Sequence, residues 1–145
     1  MEDITDFDLR QFLPYVLNQA AEAASLNFQS VYKERYGMLR TEWRVLFHLG
    51  IYGEMTAREI GVKAKMHKTK ISRAVQRLQE RRFLTRVKDI DDRRFEHLAL
   101  TKAGQAAYRD LRAIAAEYEA QLVADFDQQE LAVFRRVLGK LAADG

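Results

Sequence analysis

The chain has 145 residues, of which 48% are hydrophobic and 31% charged, a balance typical of one soluble domain with or without helical extensions. It contains no cysteine, which excludes disulfide bonds, thiol redox sensing, cysteine nucleophiles and cysteine-ligated zinc. No apolar run approaches the roughly 20 residues that span a bilayer, and the acidic N-terminus lacks the features of a secretory signal, so we expect a cytoplasmic protein.

The charge is unevenly distributed along the chain. Residues 58–94 contain 13 basic and five acidic residues, whereas the rest of the chain contains 11 basic and 16 acidic residues. A concentrated basic segment is typical of a nucleic-acid-binding element, although a solvated charged face gives the same count. The charge alone therefore indicates a candidate segment and leaves both interpretations open.

Helical periodicity dominates the first third of the chain. Apolar residues at intervals of three and four predict a long helix from Leu13 to about Tyr36, with Pro14 in its first turn. A second helix is predicted to be capped by Thr41 and to end near Gly50.

The central segment predicts two shorter helices separated by a brief turn. Thr56 and Glu59 fit a capping box for a helix through Ala64, and a second helix is predicted from Lys68 to about Arg82. This arrangement, with basic and hydroxyl residues early in the second helix, is typical of a helix-turn-helix. The apolar stripe of the second helix consists of Ile71, Ala74, Val75 and Leu78.

A β-hairpin is predicted next, with strands at 83–87 and 95–100 and a charged turn at 89–94. Thr101 is then predicted to cap a long helix to about Phe126, and Asp127 and Glu130 to open a last helix. Together with the first helix, these two carry more apolar surface than the central module covers. This surplus favours burial against a second copy of the chain.

The second central helix has the residue types that reading a DNA major groove requires. Lysine and arginine donate to the two acceptors of guanine, and serine and threonine serve either role. The candidate contacts are Lys68, Thr69, Lys70, Ser72 and Arg73. Arg77, one turn later, is predicted to hold a phosphate. At the hairpin tip, Arg93 and Arg94 suit the narrow minor groove, and Asp92 is suited to hold a neighbouring arginine by a charge-assisted hydrogen bond.

Taken in order, these segments resemble the MarR family of winged helix-turn-helix transcriptional regulators. The resemblance covers nearly the whole chain, and its specificity comes from the ordered set, including the Asp-x-Arg hairpin tip and the Leu-Thr-x-x-Gly helix start. The matching segments are 39–46, 58–61, 71–78, 92–94 and 100–104.

The resemblance implies a mainly α, winged helix-turn-helix fold with long N- and C-terminal dimerisation helices and a two-stranded β wing. It implies a homodimer in which residues 1–36 and 101–145 form the dimerisation region and residues 37–100 the DNA-binding module. Such proteins bind double-stranded DNA at pseudo-palindromic operators, usually as repressors. Many release DNA when a small aromatic or phenolic acid binds between the two regions. The two recognition helices are expected roughly 34 Å apart, one turn of DNA.

Aromatic residues on the first two long helices are candidates either for an effector pocket or for plain core. Pockets between helices combine apolar walls with a few polar anchors. The candidate effector contacts are Tyr15, Phe28, Trp43, Arg44 and Phe47. Arg44 or Arg40 is suited to pair an effector carboxylate, although both arginines are equally suited to a surface position.

Three residues depart from the family's pattern. Lys65 stands where the turn usually has glycine, His67 where aspartate, serine or threonine often caps the recognition helix, and Arg82 where glycine often precedes the wing strand. These departures leave the operator sequence unpredicted.

The histidines lack metal-ligand spacing, and the chain has no glycine-rich phosphate loop or nucleophile motif, so we expect no metal, cofactor or enzymatic activity. The alternative function is a winged-helix protein-interaction or architectural module without specific operator binding. Basic residues at groove-facing positions argue against this alternative, and salt-dependent binding to duplex DNA discriminates between the two.

Overall fold

A computed structural model describes residues 6–92 and 94–143 of the chain. Within these residues, a short 3-10 helix at Leu9–Gln11 precedes six α-helices and one antiparallel β-hairpin. The mainly α fold with a two-stranded wing is therefore confirmed. The elements are α1 (Leu13–Tyr36), α2 (Arg40–Tyr52), α3 (Ala57–Ala64), α4 (Lys68–Glu80), β1 (Leu84–Lys88), β2 (Glu96–Leu100), α5 (Lys102–Leu122) and α6 (Gln128–Ala143). None of the described helices combines the length and apolar character needed to cross a membrane.

Three of the predicted helix starts have the expected capping hydrogen bonds. Thr56 and Glu59 form a reciprocal capping box before α3, with N–O distances of 2.9 and 3.1 Å. Asp127 and Glu130 bond each other's backbone in the same way before α6. The Thr101 hydroxyl accepts a 3.0 Å bond from a backbone N–H in the first turn of α5. These side chains satisfy backbone donors that have no partner inside a helix.

The predicted limits of α2 are wrong at both ends. Residue 39 precedes its first turn without any side-chain cap, so Thr41 lies inside the helix, which continues through Tyr52 to Gly53. Gly50 is required for packing and does not end the helix. A Cβ at Gly50 would lie 2.4 Å from the ring of Tyr108 on α5, so only glycine allows this close approach.

Helix α5 is also shorter than predicted, because it ends at Leu122 rather than near Phe126. Residues 123–126 form a turn that leads to the Asp127 cap. Phe126 keeps the helical spacing of apolar residues although it lies in this turn, so the spacing predicted too long a helix.

Two of the departures from the family's pattern have the backbone conformation that glycine would adopt. Lys65 ends α3 with φ of 53°, and Arg82 precedes β1 with φ of 65°. A left-handed backbone costs an ordinary residue about 1–2 kcal/mol, whereas glycine adopts it freely. Both chain reversals are therefore kept despite the loss of glycine.

The β-hairpin is anchored to the helices at its base. Leu84 pairs with Leu100 at this base, and the two strands are antiparallel to each other from there to the tip. On its other side, β2 exchanges two backbone hydrogen bonds with Met55, the residue before the α3 cap, through Leu98. The wing is thus fixed to the helix-turn-helix by backbone pairing as well as by side chains.

The chain divides into two compact units, Met1–Arg112 and Ala113–Gly145. The first unit contains the core, whose largest fully buried apolar side chains include Met38, Leu46, Ile60, Leu78, Leu84, Leu98 and Leu111. In the second unit, α6 has no buried residue among those described. The proposed boundaries of the dimerisation and DNA-binding regions, at residues 36 and 101, stay a prediction.

Candidate nucleic-acid interface

The helix-turn-helix is formed by α3, a three-residue turn and α4. Gly61 of α3 lies against Ile71 of α4, where an added Cβ would be 2.9 Å from the Ile71 Cδ1 atom. The backbone N–H of Met66 in the turn donates to the Gly61 carbonyl oxygen at 3.1 Å. Glycine therefore lets the two helices pack closely and sets the direction in which α4 leaves the turn.

Helix α4 separates its apolar and polar residues into two faces. The predicted stripe Ile71, Ala74, Val75 and Leu78 is buried in the core, as expected from its spacing. The five candidate groove contacts, Lys68, Thr69, Lys70, Ser72 and Arg73, are all exposed. Because the buried stripe fixes the helix, the polar residues are held together on an accessible, positively charged surface.

His67 caps the N-terminus of α4. Its Nδ1 atom accepts a 3.2 Å hydrogen bond from the backbone N–H of Thr69. The imidazole thus takes the place of the carboxylate or hydroxyl that usually caps this helix in the family. An imidazole brings no negative charge to the helix N-terminus, so the partial positive charge of that N-terminus adds to the charge of the lysines beside it.

The hairpin tip is organised by two aspartates. The two carboxylate oxygens of Asp92 accept from Nη2 and Nε of Arg94 at 2.7 and 3.0 Å, and Asp92 also accepts from the Arg94 backbone N–H. These bonds hold the pKa of Asp92 below its ordinary value. Asp89 accepts from the backbone N–H of Asp91, which is the main reason that its pKa is lowered, and it also contacts His97 on β2 at 3.4 Å. The guanidinium of Arg94 is therefore aimed by an ion pair, while Arg93 lies outside the described residues.

A groove of about 670 Å³ separates α3 and α4 from the wing. Its walls include the apolar residues Met66, Ile71, Val75 and Leu98. Arg58 on α3 and Arg86 on β1 also line it, and neither was singled out from the sequence. Both belong to the basic segment, but only the tertiary structure brings them to one groove.

Several basic residues in this region have partners within the chain. Arg86 donates to Gln79 and pairs with Glu96 at 3.1 Å, so it links α4 to the wing. Arg81 donates to the carbonyl oxygen of Tyr36 at the end of α1. Arg77, which was predicted to hold a phosphate, has its Nη1 atom 3.6 Å from a carboxylate oxygen of Glu42 on α2.

A second cluster consists of aromatic rings on α1, α2 and α5. Its ring centroids lie 5.1 to 5.7 Å apart, from Phe28 and Tyr32 through Trp43 and Phe47 to Tyr108. Phe28 and Tyr32 are buried, as the core interpretation expects, whereas Trp43 and Phe47 are partly accessible. In the part of the chain that the structure describes, the buried indole N–H of Trp43 has no hydrogen-bond acceptor.

The predicted effector contacts do not all meet at this cluster. Phe28, Trp43 and Phe47 do, but Tyr15 lies 13 residues before Phe28 on the same helix, about 20 Å along its axis. Arg44 donates instead to the carbonyl oxygen of Ala64 at the end of α3.

Arg40, the other arginine considered, lies beside the cluster. Burial raises the pKa of the Tyr32 phenol, and the neighbouring Arg40 guanidinium opposes that rise. Arg40 also approaches Glu22 at 3.4 Å. Over the described residues, no three acidic or histidine side chains are grouped as metal ligands.

Comparison with known proteins gives a consistent result. The model of the MarR family matches residues 36–94, which include the helix-turn-helix and the first strand of the wing. An uncharacterized HTH-type transcriptional regulator of Bacillus subtilis, YwoH, is 27% identical over 128 residues, which cover 87% of this chain and 90% of that protein. The homoprotocatechuate degradative operon repressor of Escherichia coli is 26% identical and covers 92% of this chain and 89% of its own length.

Solved structures agree with this similarity. A MarR/EmrR family transcriptional regulator from Acinetobacter sp. ADP1 superposes with a TM-score of 0.85 and 25% identity. The match covers 95% of this chain and 97% of that protein. The similarity therefore extends beyond the winged module to the flanking helices.

Proposed function

We propose that this chain is a member of the MarR family of winged helix-turn-helix transcriptional regulators, whose model matches residues 36–94, and that it is a homodimeric, ligand-responsive repressor of a pseudo-palindromic operator. The observation that carries the proposal is the arrangement of α4, whose polar residues near the N-terminus are exposed while its apolar stripe is buried in the core. The N-terminal residues of α4 read base edges in the major groove, and Arg94 enters the adjacent minor groove. Phosphate contacts from the surrounding lysines and arginines set the orientation.

The homodimer is supported by apolar side chains that a single chain leaves exposed. On and before α6, these are Leu122, Phe126, Val133, Phe134, Val137 and Leu141. So many exposed apolar residues in 20 positions are typical of an interface, because monomeric proteins rarely leave large apolar patches in water. A two-fold dimer presents two recognition helices to two half-sites, as a pseudo-palindromic operator requires.

We propose a small aromatic acid as the effector. The related repressor of Escherichia coli takes its name from homoprotocatechuate degradation. The ring cluster offers partly accessible aromatic faces at Trp43 and Phe47, an unpartnered indole N–H, and the Arg40 guanidinium for a carboxylate. Arg40 replaces Arg44 in this proposal, because Arg40 lies beside the rings and its contact with Glu22 is exposed, whereas the Arg44 guanidinium is bonded to the end of α3. An effector that prefers dimers with another spacing of recognition helices lowers DNA affinity by its differential affinity for the two states.

DNA binding is tested with the DNA upstream of the protein's own gene and a scrambled duplex of equal length. The proposal expects the upstream DNA to bind more tightly, and Arg73→Ala to reduce this preference. Arg109→Ala on α5 is the control, since it removes the same charge from an exposed position outside the helix-turn-helix. Equal binding of both duplexes by the wild-type protein would instead favour an architectural module.

The effector class is tested by the thermal stability of the protein with added homoprotocatechuate. Cyclohexylacetate, which carries a carboxylate but no aromatic ring, is the matched ligand control. The proposal expects stabilisation by the aromatic acid alone, and a weaker effect on the Arg40→Gln variant. Failure of homoprotocatechuate and of simple benzoates to stabilise the protein or to release DNA would refute the effector class and leave DNA binding unaffected.

A further inference from the structure

Glu42 is a carboxylate buried at the interface between α2 and the recognition helix α4. It lies in the first turn of α2 and is 1% exposed. No group of the described residues donates a hydrogen bond to either of its oxygens. Removing an ionised carboxylate from water is costly unless a positive charge compensates for it, so this position needs a cation nearby.

Arg77 supplies that cation from α4. Its Nη1 atom lies 3.6 Å from Oε2 of Glu42, too far for a good hydrogen bond but close enough for an ion pair. The Arg77 side chain is 51% exposed, so it reaches the buried carboxylate while about half of its surface stays in contact with solvent. Helix α4 thus carries one arginine that contacts α2, whereas the polar side chains of its first two turns are exposed.

We propose that Arg77 is a positioning residue, which neutralises Glu42 and thereby fixes the orientation of α4 on α2. This inference rests on the proposed function, because it assumes that α4 is the helix that reads DNA. In this role, Arg77 contributes to DNA affinity by holding α4 in the correct orientation, and it makes no phosphate contact of its own. Because Trp43 follows Glu42 in α2, the same helix connects the aromatic cluster with the recognition helix.

The two roles of Arg77 make opposite predictions about stability. Replacing Arg77 alone leaves a buried carboxylate without its cation, which destabilises the fold, whereas replacing both residues removes the uncompensated charge. For a positioning residue, Arg77→Gln therefore lowers the midpoint of urea unfolding, and adding Glu42→Gln restores most of it. For a phosphate contact, Arg77→Gln leaves the unfolding midpoint near that of the wild type, and Glu42→Gln rescues nothing.

The salt dependence of DNA binding separates the two roles independently. Each phosphate contact contributes about 0.9 to the slope of log affinity against log salt concentration. We expect Arg77→Gln to weaken binding with the slope unchanged, and the double variant to recover affinity. The probe is the upstream duplex named above, and Arg73→Gln, one turn earlier on the same helix, serves as the comparison without a link to Glu42.

The measurements on Arg77→Gln and on the double variant with Glu42→Gln each support or overturn the positioning role. A slope reduced by about 0.9 in Arg77→Gln, with no rescue by Glu42→Gln, would overturn the positioning role. If Arg77→Gln does not fold, a folded double variant supports the proposal, and an unfolded double variant overturns it. The unfolding cycle requires no DNA, so it stays informative even if the protein proves not to bind specific operators.

Discussion

Gly104 is the position where a single methyl group should disturb the base of the wing most. A Cβ at Gly104 would lie 1.9 Å from the carbonyl oxygen of Phe83 just before β1, and real Cβ contacts are essentially never shorter than 3.0 Å. The Phe83 carbonyl accepts from the Thr101 N–H at 3.1 Å, and the Thr101 hydroxyl donates to the Arg82 carbonyl at 2.6 Å. Gly104→Ala therefore forces the first turn of α5 and the start of the wing apart, against both bonds.

The expected loss of stability follows from these contacts. Overpacking costs about 1–3 kcal/mol, and the two weakened hydrogen bonds cost about 0.5–1.5 kcal/mol each. Alanine returns about 1 kcal/mol of helix propensity. The net loss is about 3 kcal/mol, within a range of about 1–5 kcal/mol.

Urea unfolding followed by circular dichroism, at a fixed chain concentration, measures this loss directly. Gln105→Ala, at the exposed neighbouring position, is the control and should change stability by less than about 0.5 kcal/mol. A Gly104→Ala protein that is as stable as the wild type, or more stable, would refute the packing argument. It would also remove our explanation of the Leu-Thr-x-x-Gly motif.

Three further predictions concern the wing, the α4 cap and the contact between α1 and α5. Arg94→Ala should weaken operator binding about tenfold or more. Asp92→Asn should weaken binding less, because Arg94 remains but loses the ion pair that orients its guanidinium. Binding titrations at fixed salt concentration test both variants. His67→Ala should cost about 1 kcal/mol in urea unfolding, because the α4 cap is lost, and His67→Asn should restore it. Burial and a hydrogen bond to Asp110 raise the pKa of Tyr36 to about 12, so stability should fall as pH rises from about 10 to about 12, and Tyr36→Phe should reduce this dependence.

Each of these predictions has an outcome that contradicts it. Undiminished affinity of Arg94→Ala would exclude the wing tip from the DNA interface. Equal stability of the alanine and asparagine variants at His67 would mean that the Nδ1 bond contributes nothing. An ultraviolet titration with all tyrosines ionising near pH 10 would contradict the environment described for Tyr36.

The sequence was most informative where one local rule decides the structure. Capping pairs such as Thr56 with Glu59 and the apolar stripe of α4 need only their own segment, and both lie where predicted. The end of α2 was mispredicted because glycine often ends a helix, whereas Gly50 is needed to accommodate the ring of Tyr108, nearly 60 residues away in sequence. Helix limits that depend on tertiary contacts of this kind cannot be read from spacing alone.

The candidate sites show the same distinction. Helical periodicity predicts which side of α4 is exposed, so its polar residues could be named without a structure. Periodicity does not reveal partners from other elements, and so the contacts of Arg44 with Ala64 and of Arg77 with Glu42 were missed. In both cases a charged side chain that seemed available to a ligand has a partner within the fold.

The central claim is that a dimer reads two half-sites about one turn of DNA apart. The most direct measurement is selection of genomic fragments by the purified protein, with the affinity of the enriched fragments followed against salt concentration. We predict an enriched inverted repeat with half-site centres about 10 base pairs apart, or a multiple of that spacing, and a steep linear fall of log affinity with log salt. Fragments that bind with no enriched repeat, both before and after refolding to remove any bound ligand, would contradict specific operator recognition.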